Sequence, residues 1–192
     1  MNLGNTGYYF SNNLLRPDFK TTIDSFSGSV TTSNYTGMFS GITLGGSVFS
    51  VNNIGNWNMS AATNFSYFFA DNDTFNDNLT WNTANVTNMK GMFKNAYQFD
   101  NNDSNSIGSW VTSGVTGMSQ MFVGCSGFNR DISSWNTSKV VDFSYMFSGA
   151  AGFNQNVGLW NTSKATDLSY MFAYASSFNF ELPPWIVTGK HI

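Results

Sequence analysis

Six tryptophans, Trp57, Trp81, Trp110, Trp135, Trp160 and Trp185, stand 24, 29, 25, 25 and 25 residues apart, and the chain has no others. A repeat of this length constrains the fold more than any other feature. One such unit cannot bury its apolar face alone and has to stack on its neighbours. Further columns keep the same frame. Phe stands twelve residues after each of the first five tryptophans (Phe69, Phe93, Phe122, Phe147, Phe172), with Met or Phe before it. Another Phe stands eighteen residues after them: Phe75, Phe99, Phe128, Phe153 and Phe178. Five residues after Trp come Ala62, Val86, Val115, Val140 and Ala165; eight after come Phe65, Met89, Met118, Phe143 and Leu168.

Within a unit, the apolar residues at +8, +11, +12 and +15 from Trp follow an i, i+3, i+4, i+7 spacing. That spacing predicts one or two turns of α or 3₁₀ helix around the Met-Phe pair. The stretch from the second Phe to the next Trp carries Asn, Ser and Gly around two separated apolar residues, and suggests a short strand between turns. The expected fold class is a repeat solenoid, leucine-rich-repeat-like, with short parallel β-strands and short α/3₁₀ turns and one coil per ~25 residues. Strands of successive coils would pair about 4.8 Å apart. Residues 1–29 are expected to form an N-terminal cap and docking segment, 30–185 a solenoid of about six coils, and 186–192 a C-terminal tail. The long interval adds four residues at "FDNNDSNSIGSW". A turn can absorb them while the coils above and below stay in register. Pro183 and Pro184 stop further strand pairing.

The repeated string Trp-Asn-Thr-Ser-x-Val-x-x-Met-Ser-x-Met-Phe-x-x-Ala-x-x-Phe-Asn resembles the divergent leucine-rich repeats of BspA-like bacterial surface proteins. Similar repeats occur in mycoplasma surface lipoproteins and in some virus and phage proteins. The resemblance covers about residues 30–185, with five copies in register. It implies a leucine-rich-repeat-like solenoid with display, adhesion or protein-binding roles. The family carries no agreed catalytic residues, so it implies none here.

Composition narrows the function further. Charged residues make up 10% of the chain, and the net charge is −3 with eight scattered Lys and Arg. No basic patch for nucleic acid follows from that. No run of 18 apolar residues exists to span a membrane. The opening "MNLGNTGYYFSNNLLRPDFK" lacks the basic and apolar regions of a secretory signal. The expected location is an extracellular surface or a virion, the missing signal and the initiator Met favouring the virion. Cys125 is the single cysteine, so no intrachain disulfide framework is possible, and it stands in a column of alanines as a small core residue.

Four groups of side chains invite a site. The Asn residues after Trp and after the second Phe suggest an asparagine ladder that bonds backbone groups at the bends. Asp77, Asp131 and Glu181 each precede a Trp by four residues. Carboxylates two coils apart, about 10 Å, reach the wide limit of an inverting glycosidase pair. Asp100, Asn102, Asp103 and Ser104 in the insertion offer oxygens to calcium, although a solvated Asx-rich turn explains them more simply. Tyr8, Tyr9, Phe10, Leu14 and Leu15 fall outside the repeat register and are the expected partner-docking residues. The function expected is a non-enzymatic structural or adhesive binding module displayed on a surface. It would be a virion protein, such as a phage capsid decoration or fibre, or a cell-surface adhesin making protein or glycan contacts. The partner is a protein or further copies assembled into a capsid or surface layer, with a glycan as the other class; no cofactor is expected. A solenoid glycan-processing enzyme is the alternative.

Overall fold

A computed structural model describes residues 33–41 and 54–185. Around each Met-Phe pair the backbone forms a staircase of tight turns. In the unit after Trp135, Met146 N–H donates to the Phe143 carbonyl at 3.0 Å, Ser148 to Tyr145 at 3.1 Å, and Ala150 to Phe147 at 3.0 Å. Each bond closes a four-residue turn. The residues between them, Phe143, Tyr145, Phe147 and Gly149, donate to the following unit, onto the carbonyls of Asp167, Ser169, Met171 and Ala173 at 2.7–2.9 Å. Alternate N–H groups thus hold the unit's own shape and tie it to the next.

A left-handed residue at every fourth position makes this possible. Ten residues after Trp stand Tyr67, Gly91, Gln120, Tyr145 and Tyr170, with φ between 55° and 60°. Fourteen after Trp stand Asp71, Asn95, Gly124, Gly149 and Tyr174, with φ between 58° and 72°. In the turns Phe143–Met146 and Phe147–Ala150 the left-handed residue is third, where a type II turn requires it.

This geometry overturns the expected fold class. Among the described residues there is no α-helix and no strand. Regular structure is confined to 3₁₀ segments at Ile54–Asn56, Asn101–Asp103 and Asn105–Ser109. Pairing between units is by isolated parallel bridges, Asn34 to Asn64, Asn64 to Asn88, Asn88 to Gly117, Gly117 to Asp142 and Asp142 to Asp167. The leucine-rich-repeat-like solenoid of short parallel β-strands and α/3₁₀ turns is therefore not the fold. A residue near φ +60° belongs to neither the right-handed helix nor the pleated strand, and one at every fourth position leaves no run long enough for either. The apolar spacing that predicts a helix serves the staircase instead, since Phe143, Met146, Phe147 and Ala150 are all fully buried.

Aromatic rings fill the interior in columns. Trp81, Trp110, Trp135 and Trp160 stack at 6.3–6.4 Å with their planes within 4° of parallel. The Phe column from Phe69 to Phe172 repeats at 5.5–5.7 Å. Each of these rings also lies 3.8–4.1 Å from the second Phe of its own unit. At about 1.5–3 kcal/mol for each buried Phe, these columns dominate the apolar contribution to stability. The indoles of Trp81, Trp135 and Trp160 donate to the Ile54, Ile107 and Ile132 carbonyls at 2.7–3.2 Å. Trp110 Nε1 has no such partner. Leu79 stands one residue closer to its Trp than these isoleucines do, and its carbonyl accepts from Ser106 Oγ at 3.0 Å.

Polar columns complete the bonding, in two different ways. After Trp, the Asn side chains act locally: Asn58, Asn82, Asn136 and Asn161 accept from the backbone N–H two residues on, at 2.9–3.2 Å. After the second Phe they act between units: Asn154 N–H donates to Asn129 Oδ1 at 2.9 Å, and Asn179 N–H to Asn154 Oδ1 at 3.2 Å. Buried Thr83, Thr112 and Thr137 each donate to a carbonyl of the next unit at 3.1 Å.

The four-residue insertion is part of the packed structure rather than a solvent loop. Asn101 is fully buried; its Oδ1 accepts Leu79 N–H at 2.8 Å, and its Nδ2 donates to the Ser104 carbonyl and Ser106 Oγ at 2.8 and 2.9 Å. Left-handed Asn101, Asn102 and Asp103, with φ of 52°, 50° and 60°, coil the insertion against the stack. Asn and Asp accept that conformation more readily than bulkier residues.

Candidate binding surface

The insertion's oxygens are engaged by a side chain of the same protein. Asp100 takes the place of Asn in the inter-unit column, accepting Asn129 N–H at 2.8 Å. Its carboxylate also accepts Arg130 Nε at 2.8 Å and pairs with Arg130 Nη2 at 2.7 Å, while Asp103 takes Arg130 Nη1 at 2.6 Å. Ser104 Oγ accepts Ser106 N–H at 3.2 Å, and Asn102 N–H donates to Asn76 Oδ1 at 2.9 Å. Two of the four loop residues, Asp100 and Asp103, thus pair with a guanidinium. Among the described residues no cluster of three or more His, Cys, Asp or Glu could hold a metal ion.

Cys125 is fully buried, its Sγ donates to the Phe93 carbonyl at 2.8 Å, and burial pushes its thiol far above the usual value. Such a thiol is a packing residue and not a nucleophile. Asp131 accepts Ser133 N–H at 2.9 Å, and that bond, with one from the Ser133 hydroxyl, holds its carboxyl below the usual range. An ionised Asp131 suits an acceptor role and not that of a general acid. Tyr8, Tyr9, Phe10, Leu14 and Leu15 lie outside the described residues.

A different feature emerges along one edge of the stack. Tyr97, Tyr145, Tyr170 and Tyr174 are 51%, 41%, 64% and 88% exposed. Tyr145 and Tyr170 lie in the column ten residues after Trp and stack on each other at 4.9 Å, 17° from parallel. Tyr67 begins the same column, and its ring fills the space where a Cβ on Gly91 would stand. Tyr174 ends the column that holds Gly149 and Gly124 one and two rungs earlier. Asn95 Oδ1 and Tyr97 Cε1 lie over Gly124, whereas Gly149 has only the Gly124 backbone near it. No charged residue stands between Phe143 and Ser163, or between Leu168 and Phe180. The exposed Tyr145, Tyr170 and Tyr174 thus stand in stretches of the chain without charge. The signal for them was present in the sequence, as a column alternating between Tyr, Gly and Gln with no apolar requirement.

A concave feature runs along the bridges. It is an open groove of about 550 Å³ whose lining includes Thr63, Asn64, Thr87, Asn88, Thr116, Gly117 and Asp142. Gly117 stands where the other bridged rungs carry Asn or Asp, and Asn88 Oδ1 lies beside the place its Cβ would take. The Thr63, Thr87 and Thr116 hydroxyls already donate to carbonyls of the preceding unit at 3.0–3.2 Å.

Among the described residues no helix is long and apolar enough to cross a membrane. No curated protein and no solved structure matches the chain. A family profile does match, over residues 8–106 and 101–191. It supports the mycoplasma side of the resemblance and not a leucine-rich repeat. The chain belongs to the family described as Mycoplasma protein of unknown function, DUF285.

Proposed function

We propose that the chain is a non-enzymatic adhesive module, displayed on the outside of a cell or a virion, and that it makes protein or glycan contacts through its tyrosine edge. One observation carries this reading: Tyr145, Tyr170 and Tyr174 occupy left-handed backbone while remaining exposed. A non-glycine residue in that conformation costs about 1–2 kcal/mol, and an exposed ring recovers little of it through burial. Folding does not account for these tyrosines, and contact does. Strained backbone concentrates at functional sites, and Tyr is enriched at the centres of interfaces. The stacked core beneath gives the rigid support that such a surface needs.

The test is a Tyr170→Gly/Tyr174→Gly double variant, coated on beads and applied to host cells or to the assembled particle. Adhesion should fall about tenfold or more while the melting temperature holds or rises. Unchanged adhesion would remove the edge from the account. Release of reducing sugar from a polysaccharide by the purified protein would replace this reading with glycan processing.

A further inference from the structure

The groove along the bridges contains two departures from the repeat, on neighbouring rungs. In the column of bridging residues, Asn34, Asn64, Asn88, Asp142 and Asp167 each accept, through Oδ1, the backbone N–H two residues on, at 2.8–3.1 Å. Gly117 belongs to the same column and has no side chain to do this. Ser119 N–H consequently has no acceptor among the described residues, although Ser119 is only 1% exposed. Its hydroxyl also lacks the bond that Ser66 Oγ makes to Asn64 Oδ1 at 2.7 Å. A buried N–H without an acceptor is costly and uncommon. The second departure is Lys90, one rung earlier in a column otherwise made of the hydroxyl residues Thr36, Ser66, Ser119, Ser144 and Ser169. Lys90 is half-buried, and its ammonium has no partner among the described residues. Lys90, Gly117 and Ser119 all line the groove.

We propose that the notch over Gly117 binds the carboxylate of a sugar acid, a uronic-acid residue of a glycan. One carboxylate oxygen takes the place that Asn or Asp Oδ1 holds on the other rungs and accepts Ser119 N–H, while the Lys90 ammonium pairs with the charge. The column already tolerates neighbouring carboxylates, since Asp142 and Asp167 stand on adjacent rungs. Asp142 also lines the groove, and it opposes a doubly charged phosphate more than a single carboxylate. The remaining lining suits a sugar better than a peptide. Thr87, Thr116 and Val141 N–H groups already donate to the carbonyls of Thr63, Thr87 and Thr116 at 2.8–3.0 Å, so the groove offers no free strand edge to an extended peptide. It offers side-chain groups instead. The Thr87 and Thr116 hydroxyls donate to the protein and keep lone pairs to accept with, and the Asn64 and Asn88 Nδ2 groups have no acceptor among the described residues. Sugar hydroxyls both donate and accept, and so use both kinds. This inference does not rest on the tyrosine edge.

The experiment titrates the full chain with methyl glucuronoside and follows the Ser119 amide by NMR. Methyl glucoside and N-acetyl-aspartate N-methylamide serve as the neutral and the peptide-like comparisons. The glucuronoside should shift the Ser119 resonance and bind about tenfold or more tightly than either comparison. Gly117→Asn supplies from within the oxygen that the ligand brings, with Asn88 Oδ1 giving slightly because it lies 3.0 Å from the new Cβ. That variant should lose binding while its melting temperature holds or rises. Lys90→Ser, a change to the residue type of its own column, should weaken binding about tenfold. The Tyr170→Gly/Tyr174→Gly variant should bind as the parent does; if it loses the glucuronoside, the site is the edge and not the notch. A Ser119 resonance that the glucuronoside leaves unmoved, or undiminished binding by Gly117→Asn, overturns the proposal. Equal binding of the glucoside removes the carboxylate from it, and equal binding of the aspartate derivative overturns the sugar in favour of a peptide.

Discussion

The unit that starts at Trp135 and the unit that starts at Trp160 share Trp-Asn-Thr-Ser-Lys and Ser-Tyr-Met-Phe at the same positions. Their environments differ. Phe143, Phe147 and Phe153 of the first are fully buried, whereas Leu168, Phe172 and Phe178 of the second are half-buried. Tyr145, Phe147 and Gly149 N–H groups find carbonyls in the next unit; those of Tyr170, Phe172 and Tyr174 find none among the described residues. Burial and bonding in this chain are therefore properties of a rung's neighbours and not of its own motif. In such a quasi-one-dimensional array stability is close to a sum of unit and nearest-neighbour terms.

The sharpest way to break the comparison is to delete one ring from each region. Trp135→Ala removes an indole stacked on both sides and bonded to Ile107, and should cost about 3–5 kcal/mol in denaturant unfolding. Trp185→Ala, at a half-buried indole, should cost less than about half of that. Equal losses would mean that neighbours do not set the energy. The insertion sharpens the comparison from within the stack. Asn101→Ala leaves buried Leu79 N–H without its acceptor, at a cost of about 1–3 kcal/mol. A melting temperature equal to that of the parent would show the insertion to be independent of the rungs around it. The smallest effect has the opposite sign. Tyr174→Gly, which places in the last rung the residue found at Gly149, should stabilise the fold by up to about 1 kcal/mol. Destabilisation instead would assign the ring a structural role and weaken the case for a contact surface.

The tryptophan period located the units and most core residues, because a stacked repeat shows its buried columns as sequence columns. Phe122, Phe128, Val115 and Cys125 are all fully buried as their columns require. The backbone was not legible. An i, i+3, i+4, i+7 spacing is shared by a helix and by a staircase of turns, and only the left-handed φ at positions such as Gln120 and Tyr145 separates the two. Nothing in those side chains announces that conformation. The Arg130 pairing was hidden for a related reason. Arg130 stands 27 residues after Asp103 in sequence but one rung away in space, so its guanidinium reaches carboxylates that look free when counted along the chain. The tyrosine edge was legible as a column but not as a site, because exposure depends on which way each turn faces.

Native-state amide exchange tests the central claim most directly, through the free protein's own two staircases. Phe143, Tyr145, Phe147 and Gly149 should exchange at least about a thousandfold more slowly than Leu168, Tyr170, Phe172 and Tyr174, as expected when one row opens only with the stack and the other faces solvent. Equal protection of the two rows would contradict the account, because the neighbouring unit would then not be what holds each rung in place.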